Sequence, residues 1–93
     1  MAGKPKFVPD EFDVALADWL AGRMRTRHVS WVDLQTATGI PERTLYRLLE
    51  PKSVMTLRKL IAITAALGTN IKEATDQTEI LIEERRREAS SDN

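Results

Sequence analysis

Apolar residues recur at three- and four-residue spacing through most of this chain, separated by short polar stretches. Phe12, Leu16, Leu20 and Met24 fall four apart, with Ala15 and Trp19 beside them, which makes one stripe along one helix face. Asp10, Glu11 and Asp13 suit the positive end of that helix's dipole, so it starts near Asp10. It frays into Arg25-Thr26-Arg27-His28. A second helix follows Ser30 as N-cap, with Asp33 in its first turn. Trp31 or Val32, then Leu34, with Ala37 one turn on, give it an inner face. Gly39 ends it, because glycine takes the left-handed backbone conformation of a tight turn at little cost. Ile40 plugs the core, and Pro41 sits where a first helical turn tolerates proline. Leu45, Leu48 and Leu49 line the inside of a third helix, stopped by Pro51.

Beyond Pro51 the same period continues. Ser53 is the expected cap of a fourth helix whose inner positions are Leu57, Leu60, Ile61, Thr64 and Leu67, closed by Gly68. Asn70 with Glu73 resembles a capping box for a fifth. Ile71, Ala74, Thr78 and either Leu81 or Ile82 are its inner positions. No segment alternates as a strand does, although the run Ile80-Leu81-Ile82 is ambiguous in period. The pattern therefore predicts an all-α fold, a compact bundle of about five helices. Residues 1–9 read as a flexible arm, 10–69 as the globular domain, 70–88 as a C-terminal helix and 89–93 as a polar, disordered tail.

Composition narrows the functional classes. The chain has 93 residues, enough for one domain and too few for two. It has no cysteine, so thiolate metal sites, disulfides and thiol nucleophiles are excluded. No apolar run approaches the ~20 residues of a membrane span. The opening MAGKPKFVPD lacks an apolar signal core, so a cytoplasmic protein is expected. His28 has no companion ligand at metal spacing, no glycine-rich phosphate loop is present, and no nucleophile has a recognisable base. No catalytic residue, cofactor, metal or small-molecule ligand is expected, and the protein is not expected to be an enzyme.

Formal net charge is zero, but its distribution is uneven. From Arg23 to Lys59 eight basic residues face three acidic ones, a net +5. From Ile71 onward four basic residues face seven acidic ones, a net −3. A nucleic-acid footprint is local, so a basic middle with acidic flanks is compatible with one. The run Glu83-Glu84-Arg85-Arg86-Arg87-Glu88 reads as a solvated helix end rich in ion pairs.

The stretch from Ser30 to Glu50 has the layout of a helix-turn-helix, two short helices pinched around Gly39. The chain from Asp10 to Asn70 resembles the lambda-repressor-like, or Cro/C1-type, helix-turn-helix domains of phage and bacterial regulators. Leu34 matches the apolar residue before the turn, Gly39 the turn glycine, Ile40 the plug, and Leu45 and Leu48 the buried positions of the recognition helix. Glu50 matches the glutamate that often follows that helix. Ser53, Thr56, Leu57, Leu60, Ala65, Leu67 and Gly68 match the next helix, from a capping serine to its Ala-Leu-Gly ending. Two positions depart from the pattern. Gln35 stands where the family has a small residue at the helix crossing, and Trp31 where a phosphate-touching glutamine is usual.

In such a motif the helix Pro41–Leu49 enters the major groove of double-stranded DNA, and its outward residues Glu42, Arg43, Thr44, Tyr46 and Arg47 are the candidate base contacts. Arg43 and Arg47 share a face, and the arginine fork fits guanine O6 and N7. Lys52, Ser53, Thr56, Arg58 and Lys59 surround the start of the fourth helix, and Arg27 and His28 flank the first; these are candidate phosphate contacts. Arg23 and Arg25 belong to the same basic cluster, and Lys4 and Lys6 could follow a groove from the arm. One recognition helix reads few base pairs, so a homodimer is expected, with Ile71, Ile80, Leu81 and Ile82 as its candidate surface. Packing of the fifth helix on its own domain is the other use of those residues. The resemblance implies a sequence-specific transcription regulator, and within that class a phage-type repressor acting at an operator. The alternative is a protein-interaction module on the same fold, an antitoxin-like or host-factor-binding phage protein.

Overall fold

The computed structural model describes residues 7–91, which form five helices: α1 (Glu11–Thr26), α2 (Trp31–Thr38), α3 (Glu42–Leu49), α4 (Leu57–Ala66) and α5 (Ile71–Ser91). Lys4, Lys6 and most of the expected arm lie outside the described residues. Each helix start has a local cause. Asp10 and Asp13 form a reciprocal capping box at α1, and Ser30 and Asp33 form another at α2, with all four backbone-to-side-chain bonds between 2.9 and 3.1 Å. At α5, Asn70 Oδ1 accepts the Glu73 N–H at 2.8 Å. The Glu73 carboxylate turns instead to the Thr69 hydroxyl and to Arg23, 3.8 Å away.

The core is a single cluster in which Leu16, Leu20 and Met24 of α1 meet Leu34 of α2, Leu45, Leu48 and Leu49 of α3, Leu60, Ile63 and Leu67 around α4, and Ala74 of α5. Phe12, Trp19, Val29, Trp31 and Ile40 are half-buried against it. α5 packs along α1, while α2 rests on α3 and α4. Two threonines are buried with the apolar residues. The Thr64 and Thr78 hydroxyls donate to the carbonyls of Leu60 and Ala74 at 2.8 and 2.7 Å, which removes the cost of an unpaired buried hydroxyl.

Several expectations are corrected. α4 is capped by Thr56, whose Oγ1 accepts the Lys59 N–H at 3.3 Å, and not by Ser53. Its inner residue is Ile63, whereas Leu57 and Ile61 are 66% and 51% exposed. The sequence from Leu57 to Leu67 has apolar residues on nearly every side, so periodicity alone does not select the buried face. On α2, Ala37 is exposed and Thr38 is half-buried in its place. Pro41 is extended, with ψ 141°, and stands just before the first turn of α3. Phe7 and Pro9, assigned to the arm, are half-buried. Phe7 lines a cleft with Leu16, Leu48 and Met55. α5 runs to Ser91, through the start of the expected tail; Ala89 is a strong helix former and Arg87 pairs with Glu83 one turn back at 3.1 Å.

Candidate nucleic-acid interface

The turn between α2 and α3 is built by three residues. Gly39 has φ +75°, in the left-handed region, and its N–H bonds the Gln35 carbonyl at 2.8 Å. The Thr38 hydroxyl donates to the Leu34 carbonyl at 2.7 Å and accepts the Ile40 N–H at 3.1 Å, so it spans the turn on both sides of the glycine. Ile40 then packs on the core. Thr38 carried no signal in the sequence, because a threonine in a last helical turn is unremarkable without the geometry.

Gln35 resolves one of the two departures. Its Oε1 accepts the backbone N–H of Glu42 at 2.6 Å and caps α3 from the preceding helix. Pro41 makes no side-chain cap bond of its own. Trp31 resolves the other, since its ring stacks on Tyr46 with centroids 4.1 Å apart and planes 23° from parallel. The first residue of α2 thereby braces the middle of α3 with a stacked aromatic contact.

With Leu45, Leu48 and Leu49 buried, the outward face of α3 is Arg43, Tyr46 and Arg47, all exposed, flanked by half-buried Glu42 and Thr44. Glu42, Arg43, Tyr46 and Arg47 line one shallow, open concavity. Arg43 has no hydrogen bond or ion pair among the described residues, so its fork is free for a ligand. Arg47 is held instead: its Nε donates to Ser53 Oγ at 3.1 Å, which ties the end of α3 to the loop before α4.

The candidate phosphate contacts divide. Ser53 holds Arg47, Thr56 caps α4, and Lys52 pairs with Glu50 at 3.1 Å in a solvent-exposed bridge. Arg58 is exposed and Lys59 half-buried, and neither side chain has a partner among the described residues. His28 is exposed at φ +56°, in the turn after α1. Arg27 is engaged in the fold. Its Nε and Nη2 donate to the Leu67 and Gly68 carbonyls at 3.3 and 3.5 Å, and Arg23 reaches the same two carbonyls at 3.4 Å each. Two arginines thus neutralise the negative end of α4. Arg25 remains exposed.

The family model of the Cro/C1-type HTH DNA-binding domain matches residues 20–76. The chain belongs to that family. No curated protein and no solved structure matches it. The match holds all of α2, α3 and α4, so the Cro/C1-type domain includes the turn, the Arg43 face and the capped start of α4. α5 beyond Asp76 lies outside the match.

That outer part of α5 is tied to α1 by charge. Arg85 bonds Asp18 at 2.8 Å and Arg86 bonds Glu11 at 2.5 Å. The dimer candidates on α5 are unequal in exposure. Ile82 is buried in its own chain, Ile71 and Leu81 are half-buried, and Ile80 is 47% exposed. No helix of the described residues is long and apolar enough to cross a membrane, and no cluster of potential ligand residues among them is suited to a metal ion.

Proposed function

We propose that this Cro/C1-type domain is a sequence-specific transcription regulator, a phage or prophage repressor of the bacterial cytoplasm that binds an operator in double-stranded DNA as a homodimer. In this reading α3 lies in the major groove. Arg43 contacts a guanine through its bidentate fork, and Tyr46 and Arg47 contact neighbouring bases or their sugars. Glu42 and Thr44, on the flanks, meet the edges of the same groove. Lys52, Ser53, Thr56 and Lys59, with the first N–H groups of α4, sit on phosphates and set the register.

The observation that carries this reading is Arg43, an exposed arginine on the outward face of α3 with no hydrogen bond or ion pair among the described residues. The two departures from the family pattern have roles inside the fold: Gln35 caps α3 and Trp31 braces Tyr46. A salt titration of binding to a duplex pool separates the two readings. Phosphate neutralisation predicts a steep linear fall of log affinity with log salt, roughly 0.9 per phosphate contacted. Absent or salt-insensitive duplex binding contradicts the proposal.

A further inference from the structure

Tyr46 is the one aromatic residue of α3, and it lies on the outward face, 40% exposed. Its ring is held from behind. Trp31 packs against the core and stacks on Tyr46 with centroids 4.1 Å apart, so contacts run without a break from the core through Trp31 to the tyrosine. The stack covers one face of the Tyr46 ring and leaves the other face and the edge to solvent. Arg47, the next residue, is tethered by the bond from its Nε to Ser53 Oγ at 3.1 Å. Tyr46 and Arg47 line a shallow concavity together with Glu42 and Arg43. Two of its four walls are therefore fixed in place by the protein's own contacts.

We infer that Tyr46, held by Trp31, reads the C5 methyl group of a pyrimidine, thymine in ordinary DNA, beside the guanine taken by Arg43. The inference rests on the proposed function and names a group that its site selects. The chemistry of the groove picks the ligand. Base edges in the major groove present hydrogen-bond donors and acceptors with one exception, the thymine methyl. The concavity offers that methyl an aromatic ring and the aliphatic stems of Arg43 and Arg47, which long cationic side chains leave behind as their charged heads reach outward.

The two fixed walls supply the selectivity. A free tyrosine swings to suit many neighbours and loses that freedom on binding, whereas a ring already stacked in place gives up little. Trp31 is thus a positioning residue, acting on DNA through Tyr46. Arg43 and Tyr46 are three apart on α3, so they are neighbours on its surface and address adjoining parts of one site.

The test deletes the methyl group alone. In a duplex selected by the full-length protein from a random pool, each thymine is replaced in turn by deoxyuridine, and affinity is measured at one fixed salt concentration. The expected result is a loss of about fourfold, the worth of one buried methyl group, at a thymine near the Arg43-dependent guanine. Tyr46→Phe retains that thymine-to-uracil ratio because the ring remains, and Tyr46→Ala brings it to one. Trp31→Ala shrinks the ratio and Trp31→Phe restores it, with folding of each variant checked by thermal unfolding. Indifference of wild type to every replacement overturns the inference, as does a ratio that survives Tyr46→Ala or is lost in Tyr46→Phe, where the hydroxyl would be the reader. A ratio unchanged in folded Trp31→Ala overturns the positioning role. Any of these results beside a steep salt dependence leaves the DNA reading standing, whereas a wild-type protein that binds no duplex removes both.

Discussion

Gln35 caps α3 from the helix before it, its Oε1 accepting the Glu42 N–H at 2.6 Å. The residue that departs from the family's small side chain at this crossing therefore replaces the cap that Pro41 cannot supply. Loss of an N-cap acceptor costs ~1 kcal/mol. Gln35→Ala is expected to lower stability by about that amount, measured by urea unfolding. Gln35→Glu keeps the acceptor and the stability, but its charge beside the DNA face weakens duplex binding. Equal stability of Gln35→Ala and wild type would remove the cap from the account.

The two left-handed glycines should respond differently to alanine. Gly39 has φ +75°, and nothing stands within 4 Å of the place an alanine Cβ would take, so Gly39→Ala costs only backbone strain, about 1 kcal/mol. Gly68 has φ +72°, and a Cβ there would fall inside the Arg27 guanidinium, 2.9 Å from Cζ. Gly68→Ala therefore also displaces Arg27 from the end of α4. Arg27→Ala combined with Gly68→Ala should be less damaging than the sum of the two, in a double-mutant cycle by thermal unfolding. Strict additivity would show that the arginine moves aside freely.

Acid stability is expected to follow the two capping boxes. The backbone N–H of Ser30, then its hydroxyl, hold the Asp33 carboxyl below the ordinary aspartate value. The backbone N–H of Asp13 does most to hold Asp10 below it. A carboxylate with a lowered folded value stabilises the fold above its unfolded value, and that contribution is lost as pH falls through the folded value. Thermal stability should therefore be insensitive to these groups near neutrality and decline as pH drops below the ordinary aspartate range. Asp33→Asn should shallow that decline. An unchanged acid limb in Asp33→Asn would count against the box at α2.

Trp31 should report on DNA directly. It stacks on Tyr46 of the outward face, whereas Trp19 packs on the core and lies 5.9 Å from the Arg23 guanidinium. In a Trp19→Phe protein the remaining fluorescence is expected to change on adding duplex, and in a Trp31→Phe protein to stay constant. The opposite pattern would place the ligand away from α3.

Much of this architecture is legible in the sequence because its signals are local. Ser30, Asp33 and Gly39 announce a helix start and stop within a few residues, and Leu34, Leu45, Leu48 and Leu49 take the inner positions their spacing predicts. What the chain conceals depends on tertiary contact. The face of α4 is set by what it packs against, so Ile63 and Ile61 exchange roles relative to the periodic reading. Arg27 reads as a surface cation until the fold brings the end of α4 to it. Gln35 and Trp31 read only as departures from the family pattern until their partners, seven and fifteen residues away, are in place.

In the proposed function the exposed side of α3 reads base sequence through Arg43. Selection of bound duplexes from a random pool, run in parallel with wild type and Arg43→Ala, tests it most directly. A two-fold motif is expected for wild type. Arg43→Ala is expected to select the same motif with preference lost at one base pair per half-site and affinity for the selected site reduced by ~1–3 kcal/mol. A wild-type pool without any enriched motif, or an identical motif from both proteins, would contradict it.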